Sequence, residues 1–220
     1  FNYRIYLKFK EIDPAQREEL YSFLRQHPAI WAIISLAGKW DLSISIGIRE
    51  LKELQEFWGS FLSAYLGVIH QYIISVYFPI FHYPKSFLVG NPPPLKPRFW
   101  GEGNVQEIDA TDWDILVQLA QNARKELTEI SKVVNLSPET VGSRIKSLES
   151  KGIIQGYRAL IDLSKLGYSY FKVEIRLKEY ESMRKMLDFC AEHSNIIQAD
   201  GTIGSATLEI EVVAGNLKEM

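Results

Sequence analysis

The most informative stretch of the sequence is Leu136-Ser137-Pro138-Glu139-Thr140-Val141-Gly142-Ser143-Arg144-Ile145-Lys146-Ser147-Leu148. Serine is a good N-cap and proline is favoured in the first helical turn, so a helix is predicted to begin at Ser137. Val141, Ile145 and Leu148 recur at helical spacing and form one apolar stripe. Gly152 supplies the left-handed residue that commonly ends a helix. The stretch therefore predicts a short amphipathic helix with one buried side.

The opposite side of this helix is polar and includes Glu139, Thr140, Ser143, Arg144, Lys146 and Ser147. A helix that enters the major groove presents such a side, with its N-terminal half nearest the base edges. Arginine can bond guanine through two hydrogen bonds, hydroxyls can bond bases or phosphates, and lysines neutralise phosphates. The predicted contacts with double-stranded DNA are Ser137, Glu139, Thr140, Ser143, Arg144, Lys146 and Lys151.

Two other interpretations of this helix stay open. Arg144 could pair with a nearby acid, and three-helix units also serve as protein-interaction modules. The charge is modest, since residues 137–151 carry three basic and two acidic side chains. Residue types alone therefore favour DNA binding but leave a sensor or scaffold without DNA binding as an alternative.

The sequence around the helix predicts a winged helix-turn-helix over residues 108–162. A first helix is indicated by Ile108, Ile115, Leu116 and Leu119 behind several aspartates, and a second by an apolar period from about Thr128 to Val134. A turn follows at Asn135. The run from Ile153 to Ile161 predicts two short strands, a wing.

An internal repeat organises the rest of the chain. When the sequence is shifted by 166 positions, residues 5–54 align with 171–220 without a gap and with nine identities. The identities cluster at apolar and glycine positions, for example Phe23 with Phe189 and Gly38 with Gly204. This pattern predicts a duplicated unit.

Each copy predicts the order βαββαβ, which is the ferredoxin-like arrangement. The expected fold class is α+β, with two such domains flanking the winged helix-turn-helix. The expected domains are 1–83, a Pro/Gly-rich linker 84–107, the helix-turn-helix 108–162, and an incomplete second copy 163–220. A second sheet should cover the free face of the first. By the repeat offset, the last strand of copy 2 would end near position 249.

Composition excludes several classes of protein. With 46% hydrophobic and 24% charged residues the chain is of an ordinary globular type. A single cysteine, Cys190, permits no internal disulfide and fits a reducing, cytoplasmic setting. The four histidines show no metal-ligand spacing, and no cofactor or metal is expected. Residues 57–84 lack charged side chains, but a buried helix and an aromatic strand explain them better than a membrane span.

Residues 108–170 resemble the Lrp/AsnC, or feast/famine, regulators. The matching positions are Ile108-Asp109, Asp112, Ile115-Leu116, Leu119, Arg124, Glu129-Ile130, Leu136-Ser137-Pro138, Val141, Arg144-Ile145-Lys146, Leu148, Gly152-Ile153-Ile154, Gly156-Tyr157-Arg158-Ala159 and Leu166-Gly167-Tyr168. The resemblance implies a DNA-binding transcription regulator without enzymatic activity. The sequence departs from the family pattern at Ser143 and Ser147, two helix positions where the family often has basic residues.

The resemblance further implies a sensor domain that assembles through its sheet and often binds an amino acid near a glycine turn. The effector positions expected from it are Gly38, Lys39, Trp40 and Asp41, with Gly201 and Gly204 as a poorer second copy. We expect a homo-oligomer or an intrachain pseudo-dimer. Family members carry their helix-turn-helix before the sensor domain, so the chain is expected to begin inside a longer tandem protein.

An enzymatic alternative comes from a tetrapyrrole-decarboxylating branch that resembles these regulators in fold. It would need a pocket rich in histidine and arginine, whereas His27 and His193 are each expected at a helix end, in a capping or surface role. Stacking of single-stranded nucleic acid on the aromatic strand around Tyr72 and Tyr77 is a further alternative, but no basic residues interleave it. A core or interface strand is the preferred interpretation.

Overall fold

A computed structural model describes residues 1–88, 98–100, 105–216 and 218–219. Part of the predicted Pro/Gly-rich linker, including the prolines at 92–94 and 97, lies outside the described residues. Internal contacts divide the chain into two compact units, one of residues 1–102 with 163–220 and one of residues 103–162.

The helices and strands are numbered along the chain. The first part contains β1 (Asn2–Phe9), α1 (Pro14–Gln26), β2 (Ile30–Ser35), β3 (Leu42–Gly47), α2 (Leu51–Tyr65), β4 (Ile69–His82) and β5 (Arg98–Trp100). The second part contains α3 (Ala110–Gln121), α4 (Leu127–Val134), α5 (Pro138–Ser150), β6 (Ser169–Ile175), α6 (Met183–Glu192), β7 (Ile196–Ile203) and β8 (Leu208–Ala214).

The larger unit is built on one antiparallel sheet with the strand order β2-β3-β1-β4-β7-β8-β6. The short β5 pairs with the end of β4. The first four strands follow the order of a ferredoxin-like domain, and helices and strands occur together, so the predicted α+β class is confirmed. In the described residues, no helix is long and apolar enough to cross a membrane.

The elements of the larger unit recur at the offset found in the sequence. Adding 166 to the bounds of α1, β2 and β3 brings them close to α6 with the short turn before it, β7 and β8. The β-bulge between Ile30 and Ala32 has a counterpart between Ile196 and Gln198. β6 is displaced by two residues along β8 relative to β1 on β3, which keeps each side chain on its own face of the sheet.

Two apolar cores lie on the helical side of this sheet. The first packs α1 and α2 on β1, β3 and β4, with Leu20, Leu24 and Phe61 fully buried. The second packs α6 on β7 and β8, with Cys190 fully buried. The end of β4 contributes Phe81 to the second core, followed by Tyr83, so one long strand serves both cores. His27 and His193 occupy the C-cap positions of α1 and α6, as predicted.

The other face of the sheet is covered by the sheet itself. Tyr6 on β1 donates a hydrogen bond to Glu209 on β8, although β4 and β7 lie between these strands in the sheet order. The sheet must therefore fold over on itself, so that its two halves face each other. This arrangement agrees with the expectation of a second packed sheet. The face that it covers carries mainly polar and charged side chains.

The facing halves enclose charged side chains, which we call the inner charge cluster: Arg4, Lys172, Asp200, Glu209 and Glu211. Arg4 Nη1 lies 3.3 Å from both Asp200 Oδ2 and Glu209 Oε2. Lys172 Nζ lies 3.1 Å from Glu209 Oε2 and 3.0 Å from Glu211 Oε1. Asp200 and Glu209 are fully buried. The cluster thus places three carboxylates and two cations in a layer shielded from water.

Candidate nucleic-acid interface

The smaller unit is a three-helix arrangement around a compact core. Ile115 of α3, Ile130 of α4 and both Val141 and Leu148 of α5 are buried. Asn135 adopts the left-handed conformation (φ 53°) at the end of α4, which makes the tight turn into α5 possible. The predicted extent of α4, the turn at Asn135 and the predicted start and end of α5 are confirmed to within one or two residues, and a first helix forms where its apolar residues indicated.

The start of α5 is fixed by a side-chain cap. Ser137 Oγ accepts a hydrogen bond from the Thr140 backbone N–H, and its hydroxyl lies 3.1 Å from that of Thr140. The helix ends where Gly152 has a positive φ of 71°. Ser137, predicted as a DNA contact, therefore already has a structural role in holding the first turn of α5.

Gly142 faces the start of α4 across the helix pair. A Cβ atom at this position would lie 3.3 Å from Leu127 Cδ1, at the start of α4. An alanine requires only a small shift of the end of the Leu127 side chain, whereas a longer side chain would press on α4. The glycine weakens the helix on propensity, and the packing leaves room for little more than a methyl group.

The exposed side of α5 carries Glu139, Thr140, Ser143 and Lys146. Lys151 is exposed just after the helix. Within the part of the chain that the structure describes, neither Lys146 nor Lys151 takes part in an ion pair. The ammonium groups of Lys146 and Lys151 are therefore available to phosphates. The Thr140 hydroxyl is exposed as well but already lies within hydrogen-bond distance of Ser137 Oγ.

Arg144 differs from the other predicted DNA contacts because it is half-buried and paired. Its Nη1 donates to Asp109 Oδ2 and to Asp112 Oδ1, both at 2.7 Å. These hydrogen bonds raise the pKa of Arg144. The pKa of Asp109 is lowered first by the backbone N–H of Asp112 and then by Arg144. Arg144 thus ties α5 to the N-terminus of α3, the alternative that the sequence left open.

No strand forms within residues 153–161, so the predicted pairing of two short strands there is wrong. The backbone N–H groups of Ile153 and Ile154 donate to the Leu148 carbonyl and close the end of α5. Both isoleucines pack against the three-helix core. The apolar pair that suggested a strand is used for capping and burial, and residues 155–160 are exposed.

The turn predicted for an effector, residues 38–41, connects β2 to β3. Gly38 has a φ of 136°, a conformation that favours glycine. Lys39 Nζ lies 2.6 Å from Glu174 Oε2, and Trp40 Nε1 donates to Glu174 Oε1 at 2.9 Å. Asp41 accepts hydrogen bonds from Lys8 Nζ and from a backbone N–H of β1. The turn is therefore held by charged partners.

The same turn lies beside a cavity of about 890 Å³. Lys39 and Trp40 line it together with residues of β2 and of β6, among them Tyr170 and Lys172. Burial alone would raise the pKa of Asp41, but hydrogen bonds from Lys8 and the backbone N–H of Phe9 hold it below its usual value.

Gly201 and Gly204, the second pair of predicted effector positions, lie where β7 meets β4. A Cβ on Gly201 would be 2.8 Å from the Phe78 carbonyl oxygen, and one on Gly204 would be 2.4 Å from Ser75 Oγ. Both glycines therefore permit close approach of two strands. The structure does not bring them together with residues 38–41 around the cavity.

Two contacts were missed from the sequence. Glu174 is the partner of both Lys39 and Trp40, and it stands at the repeat position of Lys8, which is the partner of Asp41. A charged residue at this strand position in both repeat copies, Lys8 in the first and Glu174 in the second, was the signal in the sequence that could have indicated a contact with the turn. The sequence contained a weaker indication of the contact between Asp109 and Arg144, because Asp109 was interpreted only as a residue at the start of α3.

Comparisons with known proteins agree with this geometry. The family of winged helix-turn-helix DNA-binding domains matches residues 108–155. The transcriptional regulator LrpA of Pyrococcus abyssi is 37% identical over 99 residues, which are 39% of this chain and 70% of that protein. LrpB of Bacillus subtilis is 31% identical over 106 residues, which are 48% of this chain and 71% of that protein.

Among solved structures, that of E. coli AsnC matches with a TM-score of 0.47 and 28% identity. The match covers 52% of this chain and 77% of AsnC.

Proposed function

This chain belongs to the Lrp/AsnC family of DNA-binding transcriptional regulators, and from that premise we propose that α5 is its recognition helix. The observation that carries the proposal is the exposed side of α5, where Thr140, Ser143 and Lys146 have no role in the core. Their order fits a helix that enters the major groove with its first turns nearest the bases.

The hydroxyls and the lysines have separate tasks in this proposal. Thr140 and Ser143, in the N-terminal half of α5, contact base edges, which gives sequence preference. Lys146 and Lys151 contact phosphates, which gives affinity on any duplex and a dependence on salt. Glu139 stands at the edge of the same side, where a carboxylate accepts from a cytosine amino group.

Arg144 is assigned a positioning role instead of a base contact. Its two hydrogen bonds to Asp109 and Asp112 fix the angle between α5 and the start of α3. Removing the guanidinium should disturb the presentation of Thr140 and Ser143 to the groove. A loss of sequence preference, with the salt dependence unchanged, distinguishes this role from a phosphate contact.

The test is binding of the full-length protein to duplex DNA from its own promoter, measured at several salt concentrations. Thr140→Val should weaken this binding about fivefold, the equivalent of one hydrogen bond of about 1 kcal/mol, and leave random duplex DNA unaffected. Lys146→Ala should weaken both DNAs and lower the slope of log K against log salt by about 0.9.

Lys185→Ala, an exposed lysine of α6, is the matched control and should change neither quantity. Binding that is unaffected by both α5 variants would remove α5 as the recognition helix. The absence of salt-sensitive binding to any duplex would contradict DNA recognition by this unit.

We propose that the two repeat copies form a pseudo-dimer within one chain. The continuous pairing of β4 with β7 and the inner charge cluster support this arrangement. Light scattering of the full-length protein after dilution tests it. The larger unit should keep its protection from hydrogen exchange at concentrations where any chain-to-chain association has dissociated.

A small effector such as an amino acid is proposed for the turn at residues 38–41. The exposed Lys39 ammonium forms an ion pair with Glu174. The carboxylate of a ligand would replace Glu174 as its partner. Titration with single amino acids, followed by thermal unfolding, should show a shift that Lys39→Ala removes and Lys185→Ala preserves. Equal shifts in both variants would exclude the turn.

A further inference from the structure

The segment that follows α5 carries an arginine that neither the three-helix core nor the side of α5 accounts for. Residues 155–160 are exposed, and Arg158 stands in the middle of them. Among the residues that the structure describes, the Arg158 side chain takes part in no hydrogen bond or ion pair. Its guanidinium therefore keeps all of its N–H donors for an anion.

A hydrogen bond from the preceding residue fixes this segment to α5. Tyr157 Oη donates to Glu149 Oε1 at 3.0 Å, and Glu149 lies in the last turn of the helix. Partial removal from water and the hydrogen bond to Glu149 raise the pKa of Tyr157, so the hydroxyl keeps the proton that it donates. Gly156, with a φ of 144°, allows the chain to change direction just before the tyrosine.

The chain between α5 and Tyr157 is held at a second place. The backbone N–H groups of Ile153 and Ile154 donate to the Leu148 carbonyl, and both side chains pack against the core. The segment is thus attached to α5 at its beginning and at Tyr157, although no strand forms. Arg158 is the next residue, with its Cα about 3.8 Å from that of Tyr157.

The attachment places this arginine at the end of α5 that carries the two proposed phosphate contacts. Glu149 follows Lys146 by three residues, and residues three apart are neighbours on a helix surface. Lys151 is exposed just beyond the last turn. A residue fixed beside Glu149 is therefore fixed near the positive charges at the C-terminal end of the helix.

We propose that Arg158 is a further contact to DNA, which binds a phosphate and is positioned by the hydrogen bond between Tyr157 and Glu149. The proposal rests on the proposed function of α5 as the recognition helix. Arg158 touches the duplex, whereas Tyr157 is a positioning residue that acts through it. The planar guanidinium suits this task because it can bond two phosphate oxygens at once.

A phosphate is the expected ligand because of the end of α5 at which Arg158 stands. The N-terminal half of a recognition helix lies nearest the base edges, and a group at its other end meets the sugar-phosphate backbone. Contacts to phosphates fix the register of the protein and carry no sequence preference. Arg158 thus strengthens binding to any duplex and holds Thr140 and Ser143 in place over the bases.

The test uses the full-length protein with two duplexes, one from its own promoter and one of random sequence, at several salt concentrations. Arg158→Ala should weaken binding to both about five- to tenfold at 0.1 M salt and lower the slope of log K against log salt by about 0.9. Arg158→Lys keeps the charge and should retain the slope. Arg184→Ala, at an exposed arginine of α6, is the matched control and should change neither quantity.

The positioning role is tested by Tyr157→Phe, which keeps the ring and removes the hydroxyl. It should weaken binding to both duplexes roughly threefold, the effect of one hydrogen bond, and leave the slope unchanged because Arg158 still reaches a phosphate. In the Arg158→Ala background the same substitution should have no further effect. Circular dichroism and thermal unfolding establish that the variants are folded.

Lys146→Ala in the same titrations separates this proposal from the function of α5. If Lys146→Ala lowers the slope and Arg158→Ala does not, the contact by Arg158 is overturned and recognition by α5 stands. If neither variant changes the slope, both proposals fail. Additive losses in the double variant of Tyr157 and Arg158 would overturn the positioning role.

Discussion

Replacing Asp200 with asparagine should change how the stability of the larger unit depends on pH. Asp200 is fully buried in the inner charge cluster, beside Arg4 and Lys172. Burial raises the pKa of Asp200 to about 7; Arg4 opposes this increase and Glu211 adds to it. The native state therefore holds a proton on this carboxyl at pH values where the unfolded chain does not.

The sign and size of the effect follow from proton linkage. Between the pKa of an unfolded aspartate, about 4, and the native value of about 7, the native state binds more protons, so stability falls as pH rises. The native and unfolded pKa values of Asp200 differ by about three, and each unit of pKa corresponds to about 1.36 kcal/mol. The loss of stability at pH 8 therefore has an upper bound on the order of 4 kcal/mol. Asparagine resembles the protonated acid and lacks this dependence.

Urea unfolding of the full chain at pH 5, 6, 7 and 8 measures the difference. The difference in the free energy of unfolding between wild type and Asp200→Asn should be smallest at pH 5 and should grow with each pH step. At pH 8 the variant should be more stable by about 2–4 kcal/mol. Asp188→Asn, at an exposed carboxylate of α6, is the control and should leave the pH profile unchanged. A pH-independent difference, or a variant that is less stable at pH 8, would refute the reasoning.

Three further substitutions test local packing and charge through unfolding of the full chain. Gly142→Ala should stabilise by up to about 1 kcal/mol, since alanine favours a helix and the new Cβ meets only the flexible end of Leu127; a lower midpoint would contradict this. Gly201→Ala should destabilise by about 3 kcal/mol, because its Cβ would press on the backbone of Phe78; an unchanged midpoint would refute the β4–β7 packing. Asp41→Asn should destabilise at pH 7 and less so at pH 3, because the contribution of a carboxyl with a lowered pKa is present above its unfolded pKa and is lost as pH falls through the folded pKa.

Features set by neighbouring residues could be predicted from the sequence. The Ser137 cap, the apolar stripe of α5 and the glycine at its end follow from rules that span only a few residues. The internal repeat allowed the order of helices and strands in the larger unit to be predicted. An element that is weakly indicated in one copy can be identified from its counterpart in the other. The α+β class and the three helices were therefore accessible without a structure.

Features set by distant residues could not be predicted. In β8, Glu209 and Glu211 alternate with apolar residues, a pattern typical of a strand with one face in water. The folding-over of the sheet buries both faces, and the carboxylates meet Arg4, more than 200 positions away. Ile153 and Ile154 were assigned to a strand because propensity cannot show that the helical core has space for both.

The two repeat copies have diverged so that the charges of each half in the inner layer complement those of the other half and not those of a second copy of itself. Glu209 and Glu211 stand at the repeat positions of Ser43 and Ser45, and Arg4 at that of Tyr170. Two second halves facing each other would enclose six carboxylates with only two lysines, and two first halves would enclose two arginines with no acid. Burying such charges without partners is costly, so each half disfavours a copy of itself and accepts only its counterpart. In a cell that holds other proteins of this fold, such a layer would keep the two halves from mixing with foreign ones.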